Sequence, residues 1–185
     1  KLEATFSQNP YLFEARARLF SKQNENELAI QHYRKALSEI NKTGTIRKDV
    51  LFRIYADCST AYQNSGNPER AAAYLNKGLE IDENNFLMRF NLGVLQLNFG
   101  KELEAAKNFE TCTKLNENSM EAWYNFGLCL LKIRRFEPAI ASFTKAIEIN
   151  PEYLAAINNR ANAKKHMRRT TGAINDYLLA LKIDP

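Results

Sequence analysis

The sequence predicts an all-α protein, a linear array of antiparallel helix pairs with about ten helices, and three observations predict it. Residue types recur with a period of 34: Ala71, Ala105, Ala139 and Ala173 superimpose, as do Leu75, Phe109, Phe143 and Tyr177, and Ser59, Gly93, Gly127 and Ala161. Within each period apolar residues return at helical spacing, as in Ala139, Ile140, Phe143, Ala146 and Ile147. Chain breakers separate the helical stretches, at Ser65-Gly66-Asn67-Pro68, at Gly100 and at Asn150-Pro151. β-Branched residues never gather into alternating runs, so strands have no support.

Each column has a packing reason. The small residues at Ser59, Gly93, Gly127 and Ala161, with the alanine column, let two antiparallel helices approach closely, while the aromatic or leucine column fills the space between successive pairs.

The first unit covers residues 10–41, with Phe13, Ala17, Ala29, Tyr33 and Ala36 in the shared columns. About eight surplus residues follow, around Asn41-Lys42-Thr43-Gly44-Thr45, and are expected as a basic insertion loop over 42–51. The remaining units run over 52–85, 86–119, 120–153 and 154–185, so that 1–185 is expected to form a single array. Several positions depart from the pattern. Arg89 stands where a large apolar residue belongs, Arg16 and Arg160 where Leu belongs, and Glu83 and Glu117 where the fourth unit has Pro151. These are expected to lower local stability without threatening the fold.

The fourth unit, Met120 to Tyr153, carries Trp123, Gly127, Ala139, Phe143, Ala146 and Pro151. In that order and spacing these residues resemble the tetratricopeptide repeat, and the resemblance extends over almost the whole chain. It implies a right-handed superhelical solenoid, in which stacked repeats share one continuous core and the product of the fold is a curved binding surface. The last unit has no additional polar capping helix, and the chain begins without Met and stops in mid-motif. The expectation is that the parent chain continues past Pro185.

The resemblance also implies which residues face the concave groove, namely one stripe on the first helix of each repeat. The first repeat contributes Tyr11, Glu14, Arg18, Ser21 and Lys22, and the second Arg53, Ala56, Thr60, Gln63 and Asn64, a polar and mostly basic end. The third contributes Leu87, Phe90, Val94, Leu97 and Asn98, and the fourth Glu121, Tyr124, Leu128, Leu131 and Lys132, an apolar centre. The fifth returns to polar residues with Ala155, Asn158, Asn162, Lys165 and His166. Phe90, Val94 and Leu97 lie off the core columns and are expected in a contiguous exposed patch that marks a partner surface; the rival reading packs them on a neighbouring helix.

Asn91, Asn125 and Asn159 recur at one motif position, where some superhelical members of the family hold extended peptide backbones; a carboxamide both donates and accepts. A role confined to hydrogen bonds between helices is the equal alternative. The expected partner is a protein or extended peptide with an apolar centre and acidic flanks. The family's clamp for chaperone-tail carboxylates is not matched: in its frame the chain offers Ala56, Thr60, Asn91, Glu121 and Asn125.

No catalytic or cofactor chemistry is expected. His32 and His166 lie in different repeats without Cys or carboxylates at metal-ligand spacing, and read as surface or groove residues. Cys58, Cys112 and Cys129 occupy inward positions, where cysteine behaves as a small hydrophobe, and their odd number favours a reducing, cytoplasmic setting. No phosphate loop or nucleophile elbow exists. The run Lys164-Lys165-His166-Met167-Arg168-Arg169, with Arg134-Arg135, concentrates positive charge within a net +5, but aromatic residues are not interleaved as nucleic-acid stacking requires. It reads as a solvated turn or as a surface for an acidic protein. The longest apolar stretch, Phe126 to Leu131, is far short of the roughly 20 residues of a membrane span. Three readings remain: a peptide- or protein-binding adaptor, which the groove favours; a constitutive segment of a larger assembly; and a regulatory or substrate-selecting module of an enzyme encoded outside these residues.

Overall fold

A computed structural model of the chain describes residues 9–44 and 46–184; among them are ten helices and no strand. They run in pairs: α1 (Pro10–Lys22) with α2 (Asn26–Thr43), α3 (Lys48–Asn64) with α4 (Pro68–Ile81), α5 (Phe86–Asn98) with α6 (Glu102–Leu115), α7 (Met120–Lys132) with α8 (Phe136–Ile149), and α9 (Leu154–His166) with α10 (Thr170–Ile183). The chain divides into two compact units, Lys1–Asn91 and Leu92–Pro185, and the division falls inside α5.

Local chemistry sets the helix starts. Asn9 and Asn67 cap α1 and α4 by accepting from the backbone N–H groups of Tyr11 (2.9 Å) and Arg70 (3.2 Å), each followed by a proline in the first turn. Ser119 caps α7 through the Ala122 N–H (3.2 Å), and Asn85 does the same for α5 through Met88 (3.1 Å).

The turn within each pair is built identically five times. Asn24, Gly66, Gly100, Arg134 and Arg168 occupy the same repeat position, and all have positive φ, from 58° to 77°. The next residue's N–H then reaches back to a carbonyl five residues earlier, as in Glu25 to Phe20 (2.9 Å), Asn67 to Tyr62 (2.9 Å), Lys101 to Gln96 (2.9 Å), Arg135 to Leu130 (2.8 Å) and Arg169 to Lys164 (2.9 Å). Glycine takes this left-handed conformation freely, whereas an L-residue with a Cβ does so at a cost of about 1–2 kcal/mol.

In the first unit α1 packs on α2, α2 on α3 and α3 on α4, around the fully buried Tyr33, Ile54, Cys58, Leu75 and Met88. Gly78 lies against the Met88 side chain. In the second unit α6 packs on α7, α7 on α8, α8 on α9 and α9 on α10, with Phe109, Cys112, Cys129, Phe143 and Ile157 buried. A Cβ on Gly93 would stand 2.9 Å from the Phe109 ring, and one on Gly127 2.7 Å from the Phe143 ring. These close approaches explain why the small column and the aromatic column share a period.

Three expectations need correction. The surplus residues do not form a loop over 42–51: α2 runs on to Thr43, capped by left-handed Gly44, and α3 already begins at Lys48. Each helix is lengthened by about one turn, and position 45 lies outside the described residues. Arg89 is not a mere loss of apolar bulk. Its Nε donates to the Glu83 carbonyl at 2.6 Å, as the Trp123 indole N–H donates to the Glu117 carbonyl at 2.8 Å, so at the same repeat position both side chains supply the same donor. Arg160 is likewise compensated. Its guanidinium meets both Asp176 oxygens (2.7 and 3.0 Å) and donates to Thr144 Oγ1 (3.2 Å), and Lys164 adds a second cation at 2.8 Å from Asp176. Arg16, by contrast, is exposed on α1.

Candidate protein-binding groove

In the first unit α1 and α3 bring Arg18, Lys22 and Arg53 to one polar surface. A buried carboxylate that the basic reading of this end understated lies among them. Glu14 is 6% exposed and accepts from Arg53 Nε at 3.2 Å, with Arg18 3.7 Å away. Asp57 sits close by, and burial raises its pKa above the ordinary aspartate range, opposed by the positive charges of Arg18 and Arg53. Arg18, Ser21, Lys22, Tyr33, Asp57 and Thr60 line a cavity of about 190 Å³. The basic end therefore carries its own counter-charges. On α5, Leu87 is exposed, while Phe90 is half-buried and stacks on Phe86 (5.7 Å between centroids, 16°); Asn91 is half-buried.

In the second unit Val94 and Leu97 are half-buried and Asn98 is exposed. On α7, Tyr124, Asn125 and Leu128 are half-buried, with Tyr124 tilted against Tyr153 (5.0 Å) and Phe143 (6.0 Å). Burial raises the Tyr124 pKa, and the Asn159 amide opposes the shift. Asn125 Nδ2 donates to the Glu121 carbonyl one turn back (2.8 Å), and Asn159 Nδ2 donates to the Ala155 carbonyl (2.9 Å) and to Tyr124 Oη (3.3 Å). The two asparagines thus share a pose, and Asn159 also bridges two helices. Asn158 and Lys165 are exposed, and Asn162 Oδ1 accepts from the Tyr177 hydroxyl (2.7 Å).

His32, expected on the surface or in the groove, is instead packed against aromatic rings. It is half-buried, stacked on Phe20 (5.2 Å, 21°) and near Phe13, and burial lowers its pKa, aided by Lys35 and Arg16. His166 is exposed and stacks on Phe136. The cysteines are fully buried thiols; burial pushes Cys58 and Cys129 up to about 12. No group of three or more His, Cys, Asp or Glu among the described residues could hold a metal ion, and no helix among them is long and apolar enough to cross a membrane. A cleft of about 560 Å³ between α6, α7 and α8, lined by Trp123, Phe126 and Ile149 with Glu and Lys at its rim, was not foreseen from the sequence.

Helix pairs that follow one another along the chain, with small, alanine and aromatic columns at a 34-residue period packed inside them, define a helical-repeat protein of the interaction-scaffold class. Two tetratricopeptide-repeat profiles match residues 52–85, 88–119 and 121–153, together more than half of the chain, which belongs to the tetratricopeptide-repeat family. The first and fifth repeats fall outside these spans. No curated protein sequence matches the chain.

Among solved structures, a MamA protein superimposes with a TM-score of 0.83 at 18% identity, covering 96% of this chain and 93% of that one. MamA residues 41 to the end from Desulfovibrio magneticus RS-1 give 0.82 at 16% identity, covering 95% and 94%. YrrB, described as a TPR protein with an unusual peptide-binding site, gives 0.77 at 22% identity, covering 97% and 88%. At these identities the likeness is one of fold.

Proposed function

We propose that the chain is an adaptor or scaffold that grips an extended peptide or a segment of a partner protein through the first helices of its repeats. The observation that carries this reading is the shared pose of Asn125 and Asn159, one repeat apart. Each is tied by its Nδ2 to a carbonyl of its own helix, and in this reading Oδ1 of both, with the second N–H of Asn125, serves an incoming main chain. Tyr124 and Leu128 beside them offer partly exposed apolar surface for side chains, and each anchor buried there contributes on the order of 1.5–3 kcal/mol before ordering costs. The description of YrrB as peptide-binding is consistent with such a use of this fold.

The test compares proteins captured from native lysate by wild type, by Leu128→Glu and by Asn125→Ala/Asn159→Ala, with affinities then measured for the captured partner. Two lost hydrogen bonds predict a weakening of roughly 1–3 kcal/mol, or about 5- to 150-fold, in the asparagine variant. Identical retention by all three proteins removes the groove from consideration.

A second reading, a constitutive segment of a larger assembly, is favoured by α10. Its Ile174, Leu178 and Leu181 are 51%, 53% and 59% exposed, whereas the corresponding Ile140, Thr144 and Ile147 of α8, which packs on α9, are half-buried. If the wild-type chain is monomeric and no less soluble than Leu178→Glu/Leu181→Glu, this reading fails.

A further inference from the structure

We infer that the turns between paired helices in the second unit form a basic edge that receives an acidic stretch of the polypeptide held in that unit's groove. The inference rests on the groove reading and adds the chemistry of the partner. Arg134 and Arg168 occupy the left-handed turn position at φ of 62° and 58°, where the other three turns have Asn24, Gly66 and Gly100. Glycine would fit there without strain, so a long cationic side chain at both α7–α8 and α9–α10 turns is not what backbone geometry selects.

The cations at this edge fall into two sets. Lys132, Lys164 and Arg169 are matched by Glu102, Asp176 and Glu137 at 3.7, 2.8 and 2.9 Å. Arg134, Arg135, Lys165 and Arg168 are exposed and make no ion pair among the described residues. Four unmatched charges on two neighbouring turns form a site for anions, and guanidinium forks suit carboxylates in particular.

Continuity with the groove selects the class of anion. On α7 the stripe runs from Tyr124 through Leu128 and Leu131 directly into the Arg134–Arg135 turn, and on α9 from Asn158 and Asn162 to Lys165 and the Arg168 turn. A polypeptide with apolar residues next to Asp or Glu matches both surfaces at once. A single-stranded nucleic acid held by its bases would use open aromatic platforms among the cations, whereas Phe136 and His166 at this edge are stacked on one another at 4.8 Å and 7°.

The test is selection of random peptides of about 12 residues displayed against the full chain, for wild type and Arg134→Gly/Arg168→Gly, with a short single-stranded RNA as a parallel probe. Glycine relieves the backbone at both turns, so the variant keeps or raises its melting temperature. The expected result is enrichment of Asp and Glu beside apolar residues on wild type only, with apolar enrichment alone on the variant. The best acidic peptide should bind the variant about tenfold or more weakly at low salt, the difference shrinking at high salt. Enrichment of acids on both proteins, or on neither while apolar residues are enriched, overturns the basic edge and leaves the groove standing. No enrichment on wild type overturns both. Salt-sensitive RNA retention that depends on the two arginines, without acidic peptides, assigns the edge to nucleic acid and overturns the inference.

Discussion

Arg160 shows how a residue that looks misplaced in a repeat becomes part of its support. Its guanidinium and Asp176 are 14% and 6% exposed, so the pair exists largely out of water and each partner depends on the other. Removing one side of such a pair leaves an uncompensated charge, whereas replacing both with apolar groups can be neutral. Asp176→Ala is therefore expected to lower the free energy of unfolding by about 3 kcal/mol or more, and Arg160→Leu/Lys164→Leu/Asp176→Leu, which also removes the second cation on Asp176, to stay within about 1 kcal/mol of wild type. Urea denaturation of the three proteins decides it, and equal losses in both variants would show that the ion pair itself, not the orphaned charge, carries the energy. Arg89 follows a related logic with a backbone acceptor, supplying the donor that Trp123 supplies one repeat later.

At the level of the helix pair, the approach distance is set by one glycine. An alanine at 127 would gain up to about 1 kcal/mol of helix propensity, but its Cβ would sit 2.7 Å from the Phe143 ring, which is fully buried and has no room to retreat. Overpacking of this kind costs about 1–3 kcal/mol, so Gly127→Ala is expected to be net destabilising. Gly172, in the first turn of α10, meets only the flexible Lys164 stem at 3.4 Å, and there alanine should stabilise by up to about 1 kcal/mol. Thermal denaturation of the two variants should move in opposite directions; a rise for both would mean that the Phe143 contact is softer than its burial implies. The lengthened α2 and α3 belong to this scale too. Asn41-Lys42-Thr43-Gly44-Thr45 reads as a turn by composition, yet among its described residues Asn41, Lys42 and Thr43 continue the helix and Gly44 ends it with left-handed backbone.

For the molecule as a whole, the columns visible in the sequence were those where steric fit repeats: alanine, aromatic and small residue every 34 positions, each an interior contact of a helix pair. What stayed hidden depends on partners brought close only by folding. Asp176 lies on the helix facing Arg160, Glu14 is buried beneath Arg53, and the left-handed turn at Arg134 and Arg168 leaves no mark in side-chain type, although Gly66 and Gly100 in the same column were its signal. Of the candidate groove, the asparagine column could be written down from spacing and the stripe only from the family resemblance; that Asn159 also bonds Tyr124, and that Asn162 is engaged by Tyr177, could not be read from either. The three thiols give a readout of both units. With Cys58 and Cys129 pushed up to about 12 and all three side chains fully buried, thiolate is scarce near neutral pH and access is closed. Maleimide is expected to leave the native chain unmodified and to label Cys58 as the first unit opens in denaturant, and Cys112 and Cys129 as the second does. Rapid labelling in native buffer would contradict the packing described. The recurring left-handed turn has a last consequence, in handedness. Because the penalty there belongs to the L-configuration, a D-arginine placed by chemical synthesis at 134 or 168 would keep the cation while turning the least comfortable backbone in the repeat into the most natural one.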